Sequence, residues 1–137
     1  FEILVKQVIV GGYDEKENHV LSFLKEIYVD DFENFITENP DTIIYINKID
    51  DSENKKLEKK LKKDIVERNY EQEIIYIDST GISSNFINVL NNYIDDKLNI
   101  IPNVLIVKDG KISNVMYINS NTTSTEIIDF MELYYND

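Results

Sequence analysis

The chain has 137 residues, of which 42% are hydrophobic, and this length and composition predict one folded domain with its own core. Its formal net charge of −12 repels phosphate backbones, so nucleic acid is not expected as a partner. The chain has no cysteine and one histidine, which excludes disulfides, thiolate metal sites, cysteine nucleophiles and multi-histidine metal sites. No metal or other cofactor is expected.

Residues 1–25 are predicted to form an N-terminal extension ahead of a main domain at residues 26–137. Residues 1–10 are rich in β-branched side chains, which favours a strand, but they equally suit the trailing end of a membrane anchor. Residues 13–25 permit a short helix. Because the first residue is Phe1 rather than methionine, either a leader or anchor was removed or the chain was cut, and a membrane tether ahead of Phe1 is one expectation.

The next elements follow from local signals between residues 26 and 47. Residues 26–29 predict a short strand. Asp30 or Asp31 then stands at the N-cap position of a helix that Pro40 ends. Thr42–Asn47 is almost continuously apolar, which is typical of a strand covered on both faces.

A long charged helix is predicted over residues 52–68, where leucine and isoleucine recur every four residues. Residues 73–78 predict a second buried strand. Ser83 or Ser84 begins the following helix, whose apolar face extends to Ile94.

The last third of the chain predicts two strands, at residues 103–107 and 112–118, joined by a Lys-Asp-Gly-Lys turn. Asp-Gly between two strands is a strong hairpin signal because the turn requires positive φ angles. Thr123–Glu126 has the pattern of a capping box and begins a final helix. The alternation of elements and the terminal hairpin predict an α/β fold, with a mixed central sheet and helices on both faces.

Residues 101–112, Ile-Pro-Asn-Val-Leu-Ile-Val-Lys-Asp-Gly-Lys-Ile, resemble the thioredoxin superfamily, in which an Ile-Pro step precedes an apolar strand, a turn and another strand. Tyr-Ile-Asn-Lys at residues 45–48, followed by a charged helix, resembles the extracytoplasmic thioredoxin-like proteins of Gram-positive bacteria, including the bacteriocin-transport accessory proteins. The resemblance covers about residues 26–135. It implies a thioredoxin-like fold, a cis Ile101–Pro102 bond beside the site, and antiparallel pairing of the last two strands.

The redox motif of that family, Cys-x-x-Cys, is replaced in this chain by Ile49-Asp50-Asp51-Ser52. Ile49 stands at the position of the nucleophilic cysteine, and Ser52 at that of the resolving one. Because the attacking species in disulfide exchange is a thiolate, neither residue supports the chemistry near neutral pH. The resemblance therefore implies the fold without the thiol–disulfide oxidoreductase activity.

We expect a redox-inactive binding or assembly module whose partner is a protein or peptide outside the cytoplasm, at the cell surface or on the membrane. The expected binding residues come from two loops: Ile49, Asp50, Asp51 and Ser52 in the motif loop, and Ile101, Pro102 and Asn103 in the proline loop. Ile49 is either a partly exposed contact residue or a core residue under the loop. Pro102 is either a binding residue or a residue with a purely structural role.

Two other functions stay open. The first is a non-redox enzyme that uses carboxylates or Ser52 at the start of the charged helix, although the one histidine, His19, lies in an unrelated segment. Asp50, Asp51 and Glu53 form an acidic cluster there, but they lack the pattern of a calcium loop. The second is a structural subunit that self-associates through residues 1–12.

Six lysines lie on the charged helix, interspersed with Glu53, Glu58 and Asp64. They predict either an ordinary solvated helix face or a surface for an acidic partner or lipid head groups. The mixture of charges favours the solvated face.

Overall fold

A computed structural model of the protein describes residues 20–47, 54–78 and 85–136. The strands in these ranges are β1 (Lys25–Glu26), β2 (Thr42–Asn47), β3 (Ile74–Asp78), β4 (Val104–Lys108) and β5 (Lys111–Met116). The helices are α1 (Phe32–Glu38), α2 (Asn54–Arg68), α3 (Asn85–Leu90) and α4 (Ser124–Tyr135), and a 3₁₀ helix at Val29–Asp31 precedes α1.

The five strands form one mixed sheet in the order β1-β3-β2-β4-β5. β1 and β2 run parallel to β3, whereas β4 is antiparallel to both β2 and β5. Asp109 and Gly110, between β4 and β5, have φ angles of 54° and 76°, the positive values that the tight hairpin turn requires. The predicted α/β class, the mixed sheet and the antiparallel last pair are therefore confirmed.

Helices cover both faces of the sheet because the side chains of each strand alternate between the faces. On β2, Ile44 and Ile46 pack with α1 and α3, whereas Ile43 and Tyr45 pack with α2 and α4. All four side chains are buried, as the continuous apolar sequence of this strand predicts. Each large apolar side chain that is removed from water in this way contributes about 1.5–3 kcal/mol to the free energy of unfolding.

Several predicted boundaries are wrong. β3 begins at residue 74 rather than 73, β4 spans residues 104–108 rather than 103–107, and β5 spans residues 111–116 rather than 112–118. Three further differences have local reasons. Of the strand predicted at residues 26–29, Glu26 alone belongs to β1, because the chain turns into the 3₁₀ helix at Val29. The helix predicted to reach Ile94 ends at Leu90. There the Asn91 amide accepts from the N–H of Leu98 (2.7 Å) and donates to its carbonyl (3.1 Å), which draws the chain into a turn. Residues 20–24 form turns rather than part of a helix.

The predicted capping box at the start of α4 is confirmed. The Thr123 hydroxyl accepts from the N–H of Glu126 (3.2 Å), and the Glu126 carboxylate accepts from the N–H of Thr123 (2.9 Å). Leu21 and Leu24, in the predicted N-terminal extension, are buried in the core on the α2 side of the sheet. The predicted strand or anchor end at residues 1–10 lies outside the described residues.

Candidate functional site

The motif loop leaves the carboxyl end of β2, which ends at Asn47. Ile49, Asp50, Asp51 and Ser52 lie outside the described residues, so their placement stays a prediction. His19 and Glu53, which bear on the enzyme and cation alternatives, also lie outside them. The structure does locate the proline loop, here residues 100–103, at the same end of the sheet. The N–H of Ile46 on β2 donates to the carbonyl of Asn103 (2.6 Å).

The predicted cis bond at Pro102 is wrong. None of the peptide bonds in the described residues is cis, so Ile101–Pro102 is trans and departs from the expectation that the resemblance supplied. An Ile-Pro step by itself favours trans by about 0.5–1 kcal/mol. The backbone of Asn103, which donates to the carbonyl of Met116 (2.9 Å), continues the extended chain into β4. Pro102 itself is buried.

Asn103 uses its side chain to hold the sheet together at this end. Its amide oxygen accepts from the N–H of Ile118 (2.9 Å), and its amide nitrogen donates to the carbonyl of Ile46 (3.4 Å). Asn103 thus links the two neighbours of β4, with one hydrogen bond to β2 and one to the chain just after β5. These polar groups are occupied within the fold, which gives Asn103 a structural role.

The proline loop also presents apolar side chains to solvent. Ile100 is 63% exposed, and Ile101 beside it is half-buried against the core on the α1 side of the sheet. Tyr117, which follows β5, is 41% exposed. Its neighbours Met116 and Ile118 pack on the α2 side, so alternation places Tyr117 on the same side as Ile101. Sequence reasoning missed Ile100 and Tyr117. The available signal was the apolar pair directly ahead of the proline.

A cleft of about 510 Å³ lies between residues 94–98 and residues 112–115. We call it the β5 groove. Its lining combines apolar side chains with charged and polar ones: Ile94, Leu98, Ile112 and Val115 among the former, and Asp95, Asp96, Lys97, Ser113 and Asn114 among the latter. This lining is more polar than that of a typical small-molecule pocket, which is mostly apolar, so the groove offers polar as well as apolar contacts.

The wall of the groove opposite β5 is held by hydrogen bonds to its flanks. The Asn91 amide binds the backbone of Leu98, and the Lys97 ammonium group donates to the carbonyl of Asn91 (2.8 Å). The N–H of Ile112 donates to the carbonyl of Tyr93 (2.8 Å), which closes one end of the groove against the sheet. One backbone hydrogen bond thus joins the two walls, and the others order the wall opposite β5.

β5 is an edge strand, because in the described part of the chain it pairs with β4 alone. Apart from the N–H of Ile112, which donates to Tyr93, the backbone groups on the outer side of such an edge strand can pair with another chain. Ser113 and Asn114, in the middle of β5, are exposed. Strand and groove together form a site suited to an extended polypeptide segment.

The residues that the enzyme alternative names, at positions 50–52, lie outside the described residues, so that alternative stays untested. The described residues contain no group of three or more His, Asp or Glu side chains that is arranged to hold a metal ion. Burial raises the pKa of Tyr70, Tyr93, Tyr134 and Tyr135, with nearby carboxylates as a further cause. A phenol with a raised pKa is neutral near pH 7 and does not act as a base.

No protein-family model matches this chain, and no curated protein matches its sequence.

Proposed function

We propose that this chain is a redox-inactive, thioredoxin-like binding module that holds an extended segment of a protein or peptide partner in the β5 groove, outside the cytoplasm. The observation that carries the binding function is an open groove beside β5, which pairs with β4 alone in the described part of the chain. The extracytoplasmic location comes from the family resemblance alone.

The mixed sheet, the helices on both faces and the antiparallel β4–β5 pair support the thioredoxin-like architecture. The trans Ile101–Pro102 bond counts against it. The absence of cysteine makes thiol–disulfide exchange impossible whichever family the fold belongs to. The proposal therefore takes the architecture from the resemblance and the binding site from the groove.

The chemistry of the groove indicates what kind of segment binds. Apolar side chains alternating along an extended segment would meet Ile94, Leu98 and Val115, while its backbone pairs with β5. Asp95 and Asp96 are both exposed on the rim, and Lys97 is drawn towards the Asn91 carbonyl. The preferred segment is thus apolar with a basic residue.

The experiment selects peptides from a displayed random library and measures their affinity for matched variants. Asp95→Asn with Asp96→Asn removes two adjacent carboxylates from the groove rim. Asp30→Asn with Asp31→Asn removes two adjacent carboxylates next to α1, where neither makes a side-chain cap hydrogen bond. We expect the first pair to weaken binding of basic peptides about ten-fold and the second pair to leave it unchanged.

A second matched pair tests the exposed apolar side chain of the proline loop. Ile100→Ser removes a side chain that is 63% exposed in that loop, and Leu133→Ser removes one that is 46% exposed on α4. A lower affinity for the selected peptides in Ile100→Ser, but not in Leu133→Ser, supports the proposed site. Equal affinities in all four variants, or no selected peptides from a folded protein, would contradict the proposed function.

A further inference from the structure

The surface of α2 is far more basic than its sequence suggests. Lys55, Lys56, Lys59, Lys60, Lys62 and Lys63 are all exposed. At 3.6 residues per turn, these six side chains occupy an arc of about 160° and a length of about 12 Å. We call this surface the lysine face.

The acidic residues of α2 that should neutralise this surface point elsewhere. Glu58 is 3% exposed and accepts from the Tyr45 hydroxyl (3.2 Å) beneath the helix. Asp64 is half-buried and accepts from the Ser124 hydroxyl (2.6 Å) at the start of α4. Both carboxylates are held by the core, so the interspersed charges of the sequence separate into an inward acidic side and an outward basic one. Glu67 is the exposed carboxylate of α2 that lies on the same side of the helix as the lysines.

We propose that the lysine face adsorbs the protein to an anionic lipid bilayer. The proposal is independent of the β5 groove. Clusters of four to eight basic residues on a helix attract anionic lipids. Each lysine near the membrane surface raises the affinity about five-fold. The one large apolar side chain exposed on the arc is Val66, so the contact is electrostatic and does not insert deeply. Among the described residues, no helix is long and apolar enough to cross a membrane.

The type of basic residue favours a bilayer over a protein partner. All six residues are lysine, which is depleted from protein–protein interfaces, whereas arginine is enriched there. Lysine acts as a hydrated point charge and lacks the planar fork that pairs with one carboxylate or phosphate in a fixed geometry. A diffuse, planar negative surface requires no such geometry.

Part of the negative charge of the protein lies on the opposite side of the sheet from the lysine face. Without the six lysines, the formal charge of the chain is −18 (−12 less the six positive charges). The segment from Glu26 to Asp41 contains six acidic and no basic residues, and α1 within it covers the opposite face of the sheet. The distance from α1 across the sheet to α2 is two helix-to-sheet spacings, about 20 Å in all. It exceeds the screening length of about 8 Å at physiological ionic strength. The three acidic residues of α4 are nearer and weaken the attraction, although Glu132 is paired with Arg68 (3.8 Å).

The test is co-sedimentation of the 137-residue chain with lipid vesicles. One set contains phosphatidylcholine with about 30% phosphatidylglycerol, a second contains phosphatidylcholine alone, and both are measured at about 50 mM and about 500 mM salt. We expect binding to the anionic vesicles at low salt, loss of that binding at high salt, and no binding to the neutral vesicles.

Two double variants with the same net charge identify the surface. Lys55→Gln with Lys59→Gln should lower the partition coefficient about twenty-fold. Lys25→Gln with Lys111→Gln should change it less than about two-fold, because neither residue lies on α2 and Lys25 lies against Phe35 of α1 on the opposite face. Circular dichroism checks that both variants are folded. Equal losses in the two variants, binding to neutral vesicles, or no binding at low salt would overturn the proposal. Tighter, lysine-dependent binding to polyaspartate or to a DNA oligonucleotide than to the vesicles would also overturn it, by assigning the surface to another partner.

Discussion

Asn103→Ala tests whether Asn103 holds the sheet together or is free to contact a ligand. The substitution removes the acceptor for the N–H of Ile118 (2.9 Å) and the donor to the carbonyl of Ile46 (3.4 Å). The first bond has good geometry and contributes about 1 kcal/mol, whereas the second is long and contributes less. Both backbone groups also lose their partner in a half-buried setting. We expect the free energy of unfolding to fall by about 1.5 kcal/mol and the melting temperature by about 5 °C.

The assay is thermal and urea unfolding of the wild type, Asn103→Ala and the control Asn92→Ala. Asn92 is exposed, and the same atoms are removed at a site in the turn after α3. The control should melt within about 1 °C of the wild type, since surface substitutions of this kind change stability little. If Asn103→Ala melts with the control but loses peptide binding, the assignment of Asn103 to the fold is refuted and its predicted role in binding is favoured.

Four further outcomes are expected. Thr123→Ala should cost about 1 kcal/mol through loss of the capping box, whereas Thr125→Ala, exposed in the same turn, should cost less. Burial, and next the charge of Glu73, raises the pKa of Tyr135 in the folded protein, so the unfolded chain ionises first as pH rises. Stability is thus complete below about pH 10 and falls above it, and urea unfolding at pH 9 and 11 should show a smaller fall for Tyr135→Phe. The pure protein should not reduce insulin in a turbidity assay; any thiol-dependent reduction would contradict a chain without cysteine. If Ile49 is a core residue, Ile49→Asp should lower the free energy of unfolding by several kcal/mol. If it is a contact residue, the variant should lose peptide binding while its melting temperature stays unchanged.

Local sequence rules succeeded where the determining interactions lie within a few residues. The bounds of β2 are those predicted, because six nearly continuous apolar residues suit a strand buried on both faces. The turn at Asp109–Gly110 and the capping box at Thr123 likewise depend on the conformation and hydrogen bonds of four consecutive residues. The exclusion of thiol chemistry needed composition alone.

The features that carry the two proposals depended on residues distant in the chain. Whether Glu58 faces water or the core is decided by the hydroxyl of Tyr45, thirteen residues away on another element. The early end of α3 and the shape of the β5 groove depend on one amide group, that of Asn91, reaching Leu98. A periodic pattern gives the direction of each side chain relative to its own helix or strand. What that side chain meets there is set by the packing of elements that the sequence separates, and the tertiary structure alone decides it.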